Sequence, residues 1–194
     1  ADHKPALLTA SALSQDHDAA VSVPGLGRFR VNVFAQQRGW SSVWRAIATH
    51  IPTLKEVAAP ASLRDWVLQP HGLLLVTGAT GSGKSSTLAA LIHHLNTTQS
   101  LHILTLEDPI EFVHASQRCL VTQREMGTHS QSFAQALRAT LREDPDVILV
   151  GELRDLDTIR LALTAAETGH LVLASLYTRN AASTVERVVD VFDA

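Results

Sequence analysis

The eight residues Gly78-Ala79-Thr80-Gly81-Ser82-Gly83-Lys84-Ser85 constrain this chain more than any other stretch. They match the pattern G-x-x-x-x-G-K-[ST], and their flanks supply the context that the pattern requires. Before them, Leu73-Leu74-Leu75-Val76 is a continuous apolar run, the signature of a strand buried on both faces. After them, Ser85 to Asn96 carries Leu88, Leu91, Ile92 and Leu95 on one side, as a helix would. A strand, a glycine-rich turn and a helix in that order make a phosphate cradle. The glycines let the backbone curl so that successive N–H groups point inward. The helix N-terminus adds partial positive charge. Lys84 brings a point charge to the β- and γ-phosphates, and the Ser85 hydroxyl is a ligand for Mg²⁺. Thr80, Gly81, Ser82, Gly83 and Ser86 complete the predicted nucleotide contacts. The loop alone does not separate nucleotide binding from hydrolysis.

The rest of the chain repeats the strand–helix rhythm. Leu101 to Leu106, Val147 to Val150 and Leu171 to Leu176 read as buried strands, and Cys119-Leu120-Val121 as a weaker one. Ser132 to Arg142 carries Phe133, Leu137 and Leu141 at i, i+4 and i+8, the spacing of an amphipathic helix. Asp155 to Thr168 is a second helix, stopped by Gly169, and Ala182 to Val191 a third. Alternating strands and helices predict an α/β fold with a mainly parallel sheet. Upstream the rhythm differs. Residues 1–18 are weakly patterned, Val21 to Val23 starts a strand, and Pro24-Gly25-Leu26-Gly27 is a turn. Arg28 to Phe34 alternates polar and apolar, and Trp40 to Thr49 is its expected hairpin partner. Pro52 to Pro60 reads as a connector, and Ser62 to Leu68 as a short helix capped by Ser62. The expected division is residues 1–60 and 61–194.

Hydrolysis needs a carboxylate to activate water and another to organise Mg²⁺. Two acidic clusters sit directly after predicted strands, where active residues of open α/β sheets lie. One is Glu107-Asp108-Pro109-Ile110-Glu111, and the other is Glu152 after Val147-Ile148-Leu149-Val150-Gly151. The competing explanation for either is an acid that favours a helix N-terminus. Their joint placement beside the cradle selects the functional one.

Bulk properties remove other classes. At 194 residues, 45% apolar and 18% charged, the chain is long enough and apolar enough to bury a core. A net charge of −3 argues against general affinity for nucleic acid. One cysteine, Cys119, excludes an internal disulfide, and the ten histidines follow no zinc-ligand spacing. No apolar run approaches the ~18 residues of a membrane-spanning helix, and the first residues lack a signal-peptide pattern. Cytoplasmic location is the expectation.

Taken together, these motifs resemble the secretion-type ATPases that power type II secretion and type IV pili. The resemblance runs from about Val21 onward and rests on four stretches. They are the Walker A loop preceded by Leu75-Val76-Thr77, an aspartate box from Leu104 to Glu111, a Walker B region from Glu143 to Asp155, and a histidine box from Thr168-Gly169-His170 to Leu176-Tyr177-Thr178. Gln123-Arg124-Glu125 and the ending Val189-Asp190-Val191-Phe192 look most like the PilT-type twitching motility branch. The resemblance implies a RecA-like P-loop NTPase core preceded by part of a small α+β (PAS-like) domain. It implies ATP and Mg²⁺ as cofactors, Glu111 as general base and Glu152 as the Walker B acid acting with Mg²⁺. It further implies that His170 belongs to a box reading the γ-phosphate, and that Arg30 and Arg45 reach the nucleotide from the N-terminal domain. An arginine fork suits charge neutralisation on a transferring phosphoryl group. The competing explanation for Arg28 and Arg30 is the polar face of a strand. The implied partners are further copies in a hexameric ring and an inner-membrane platform protein, with the chain peripheral at that membrane.

Three departures accompany the resemblance. Tyr177 stands where the family has its second histidine-box histidine, and a phenol does not titrate near neutral pH. Ser86 replaces the usual threonine. The N-terminal domain reads as incomplete, and the chain stops where family members continue into a helical C-terminal region. A motor subunit is therefore expected, with a nucleotide-binding regulatory or structural ring partner of little hydrolysis as the alternative. A small-molecule kinase lacks its lid here, and a nucleic-acid motor lacks aromatic–basic stretches.

Overall fold

Two antagonistic sequence rhythms give two separate sheets. The computed structural model describes residues 17–47, 49–190 and 192, and it divides into two compact units, residues 1–49 and 50–194. The expectations for residues 1–16, Ala48 and Val191 lie outside the described residues.

In the first unit, strands β1 (His17–Val23), β2 (Gly27–Gln36) and β3 (Gly39–Ile47) form an antiparallel sheet in that order. The turn between β1 and β2 closes through Leu26 N–H donating to the Val23 carbonyl at 3.1 Å. Gly25 there adopts φ 78°, a conformation glycine reaches without a steric cost. Phe29 and Trp44, on neighbouring strands, meet edge to face with ring centroids 5.9 Å apart. The register sets Arg30 directly opposite Arg45.

The second unit holds five parallel strands: β4 (Gly72–Thr77), β5 (His102–Glu107), β6 (Leu120–Glu125), β7 (Val147–Val150) and β8 (Leu171–Leu176). Their order is β4-β8-β7-β5-β6. Helices α1 (Ser62–Val67) and α2 (Lys84–Thr98) cover one face, and α3 (Phe133–Thr140) and α4 (Leu156–Glu167) cover the other. A last helix, α5, runs over Ala181–Asp190. The alternation of strand side chains divides the core in two. Leu104, Leu106, Ile148, Val150, Val172 and Ala174 pack against α3 and α4. Ile103, Val147, Leu149, Leu171 and Leu173 pack against Leu88, Leu91, Ile92 and Leu95 of α2. The expected α/β fold with a parallel sheet is what the chain adopts.

Local details differ from the sequence reading. Ser62 is the first residue of α1 and not its cap; Ala61 holds the cap position without a side-chain hydrogen bond. Leu73 to Val76 are only part-buried, because β4 is an edge strand among the described residues although both its faces touch the core. The third strand runs further than Cys119-Leu120-Val121, through Glu125, because β6 pairs with β5 along its whole length. The boundary between units falls before His50, whereas the sequence reading drew it at 60. The stretch between belongs with α2, since Leu54, Val57 and Ala59 pack into its core cluster. No helix among the described residues is long and apolar enough to cross a membrane.

Candidate nucleotide-binding site

The parallel register brings the carboxyl ends of four strands to one edge. Thr77 pairs with Leu176, Val150 with Ala174, and Leu106 with Val150. The loops after β4, β8, β7 and β5 therefore stand side by side, and adjacent strands lie about 4.8 Å apart. From one side to the other this edge presents Gly78–Ser85, Tyr177, Glu152, then Glu107 and Asp108.

The glycine-rich loop is folded as a cradle. Gly78, Gly81 and Gly83 all have positive φ, at 149°, 77° and 92°. A Cβ on Gly78 would come within 2.6 Å of Ser82 Oγ, so no larger residue fits there without displacement. Gly83 is the N-cap of α2 and leaves the helix's first N–H groups without a side-chain cap, free for a ligand. The Lys84 ammonium folds back over the loop, donating to the Gly78 carbonyl at 2.9 Å and the Ala79 carbonyl at 3.0 Å. These bonds tie the ends of the loop together. Thr80 and Ser85 are exposed, and Ser86 is half-buried.

Glu152 follows β7 through Gly151. A Cβ on Gly151 would lie 3.1 Å from the Leu106 carbonyl, so glycine permits the close approach of this turn to β5. Gly151 N–H donates to that carbonyl at 2.7 Å. The Ser175 hydroxyl donates to the Gly151 carbonyl and fixes the turn from β8. Arg154 Nε lies 2.7 Å from the Glu152 carboxylate and Nη1 lies 3.6 Å from that of Asp108. One guanidinium thus joins the Walker B turn to the aspartate box. The Glu152 hydrogen bond holds Arg154 even more firmly protonated than usual. Asp155, in the same motif, serves the fold: it caps α4 by accepting from Thr158 N–H at 2.8 Å.

The segment carrying Glu111 is clamped from β6. Ile110 N–H donates to Glu125 Oε2 at 2.9 Å. Gln123 Nε2 donates to the Phe112 carbonyl at 2.9 Å, and Gln123 Oε1 accepts from His114 N–H at 2.7 Å. Ile110 and His114 are buried, and Glu111 is exposed. The same Gln123 amide donates to Glu107 at 3.0 Å, and Thr105 donates to Glu107 at 2.6 Å. Burial pushes the Glu107 carboxyl above its ordinary range, against these two hydrogen bonds. Gln123 and Glu125, read from sequence as a branch marker, are thus the clamp on the acidic loop.

His170 does not join this edge. It precedes β8, next to Gly72 at the start of β4, and its ring Nδ1 lies 3.0 Å from the Ala165 carbonyl. Tyr177 follows the same strand at the other end. Seven residue steps at about 3.3 Å each separate them by about 23 Å. Within this chain His170 therefore lies away from the edge that carries Lys84, with its ring against the Ala165 carbonyl at the end of α4. Tyr177 does reach the site: its ring lies 3.9 Å from the Lys84 ammonium. Sequence reading placed Glu107 in the first acidic cluster and Arg154 inside the Walker B stretch, and gave neither a role of its own. An arginine two residues beyond a Walker B acid is a charge pattern that could have flagged Arg154. Arg30 and Arg45 face each other within the first unit, where Arg30 Nε lies 4.0 Å from Asp18.

The type II/IV secretion system protein family has a profile that matches residues 28–192. The chain belongs to that family. It is 58% identical over 177 residues to the type IV pilus retractation ATPase PilT of Pseudomonas aeruginosa, covering 91% of this chain and 52% of that protein. It is 56% identical over 177 residues to a twitching motility protein of Neisseria gonorrhoeae, covering 91% of this chain and 47% of that one. Among solved structures, the pilus retraction motor PilT with bound ADP superimposes with a TM-score of 0.89 at 49% identity. That match covers 92% of this chain and 52% of the solved one. The chain therefore spans about half the length of the relatives it matches.

Proposed function

We propose that this chain is the ATP-hydrolysing portion of a motor subunit of a type IV pilus, in retraction and twitching motility, or of a related secretion machine. The observation that carries this reading is the alignment of Lys84, Glu152 and the clamped Glu111 segment along one sheet edge. The cradle fits a nucleotide: it offers positive-φ glycines, an uncapped helix N-terminus and a lysine with one donor beyond its two loop bonds. Thr80 to Ser86 would wrap the phosphates. Ser85 and Glu152 offer the hard oxygen donors that Mg²⁺ takes, directly or through water. When bound, the ion neutralises charge that develops on the transferring phosphoryl group.

The chain's own residues carry the remaining work. Lys84 holds the β- and γ-phosphates and closes the loop over them. Glu111 accepts a proton from the attacking water, held out on a segment whose flanks are fixed by Gln123 and Glu125. Arg30 and Arg45 supply cationic groups to the nucleotide site of a ring, and their juxtaposition, unfavourable by itself, favours an anionic partner. The reading extends to a homohexamer that works against an inner-membrane platform protein from the cytoplasmic side, as the family resemblance implies. A second reading is a nucleotide-binding ring partner with little hydrolysis. The observation favouring it is Tyr177 against Lys84, in place of a histidine.

Mg²⁺-dependent ATP hydrolysis, followed against protein concentration with Lys84→Ala as control, separates the two. Specific activity that rises with concentration and disappears in the variant supports the motor. Nucleotide binding without turnover at any concentration leaves only the second reading.

A further inference from the structure

We propose that Tyr177 sets the nucleotide affinity of this site by covering, with the face of its ring, the Lys84 proton that a phosphate needs. The inference rests on Gly78–Ser85 being a nucleotide cradle. It adds a competitor built into the same edge of the sheet.

An ammonium has three protons and accepts nothing. Two of those of Lys84 are taken by the Gly78 and Ala79 carbonyls, bonds that shape the loop. One remains, and the electron-rich face of the Tyr177 ring lies 3.9 Å from the nitrogen. Lys84 is 9% exposed, and the ring is one of the groups over its ammonium. Tyr177 itself is 51% exposed and stands just beyond the last residue of β8. The ring is therefore free to swing toward solvent while the strand stays in place.

An anionic phosphate oxygen makes a stronger, charge-assisted bond to the ammonium than a neutral ring does. A nucleotide displaces the ring, and the lost contact is subtracted from its affinity. Cation–π contacts of this kind correspond to roughly a two- to thirty-fold change in an equilibrium constant. The phenol hydroxyl has no part in the competition.

The test is calorimetric titration of the 194-residue chain with ATP in EDTA, where turnover is off. Tyr177→Ala is expected to bind more tightly, by roughly two- to thirty-fold, and Tyr177→Phe as the parent does. Tyr177 is the single tyrosine of the chain, so ring-labelled tyrosine gives one set of NMR signals. Those signals are expected to move on Lys84→Ala without nucleotide, and on adding ATP to the parent. If the parent binds ATP and Tyr177→Ala binds equally or more weakly, the competition is refuted while the cradle stands. If Tyr177→Phe behaves like Tyr177→Ala, the hydroxyl acts and the ring-face account is wrong. If the parent binds no nucleotide, the cradle reading falls and the competition with it, whatever the ring signals show.

Discussion

Arg154 holds Glu152 at 2.7 Å and leaves its own far end 3.6 Å from Asp108. Glu152, proposed above to organise Mg²⁺, is thus already paired with a cation. A divalent ion must share or displace that guanidinium. Arg154 is half-exposed, so the pair is worth only about 0.5–1 kcal/mol. Arg154→Gln is expected to lower the Mg²⁺ concentration for half-maximal hydrolysis by roughly two- to five-fold. A Mg²⁺ titration of activity checks this, and an unchanged or higher requirement would show that Arg154 does not compete.

Gln123 ties three points together: the Glu107 carboxylate, the Phe112 carbonyl and the His114 N–H. Gln123→Leu leaves all three partially buried groups without this partner, at a cost of about 1–3 kcal/mol. The expected signature is a lower melting temperature together with a fall in kcat of about ten-fold or more, since Glu111 loses its fixed flanks. ATP affinity should hardly change, because the cradle lies on the far side of the edge. Steady-state kinetics with a parallel binding titration distinguishes this from general unfolding.

His114 is 8% exposed, and its ring Nδ1 has no hydrogen-bond partner among the described residues. Burial lowers its pKa from 6.5 to about 4, with a smaller contribution from His93. The folded state therefore resists a proton that the unfolded chain accepts. Stability is complete above pH 6.5 and falls as the pH drops from 6.5 toward 4. At about 1.4 kcal/mol per pH unit, the loss reaches about 3 kcal/mol. Denaturant midpoints measured from pH 7 to pH 4 should fall less steeply in His114→Leu than in the parent.

Glu107 shifts the other way. Its folded pKa is raised by burial, so the folded state favours the protonated carboxyl. The contribution is fully present below 4.5 and is lost as the pH rises through the folded value. Glu107→Gln keeps an oxygen to accept from Thr105 and from Gln123 while removing the charge. The variant is expected to melt higher than the parent at pH 7, with the difference vanishing at pH 4. A difference that persists at acid pH would mean that packing, not charge, is responsible.

Much of this site could be read from the chain because its signals are local. The cradle is eight consecutive residues whose glycines are demanded by backbone shape, and Gly78, Gly81 and Gly83 take up those positive φ values. The buried strands are apolar runs, and the caps Ser132 and Asp155 stand where the helical patterns begin. Short-range sterics and hydrophobic periodicity act within a few residues, so sequence records them directly. What sequence could not give was which strand ends become neighbours. Strand order put Tyr177 beside Lys84 and left His170, seven positions earlier, at the opposite end of the sheet. It also made a clamp of Gln123 and Glu125 and brought Arg154 to Asp108 across a gap of 46 residues. Those contacts depend on backbone pairing between distant segments, and side-chain identity at any one of them does not specify the partner.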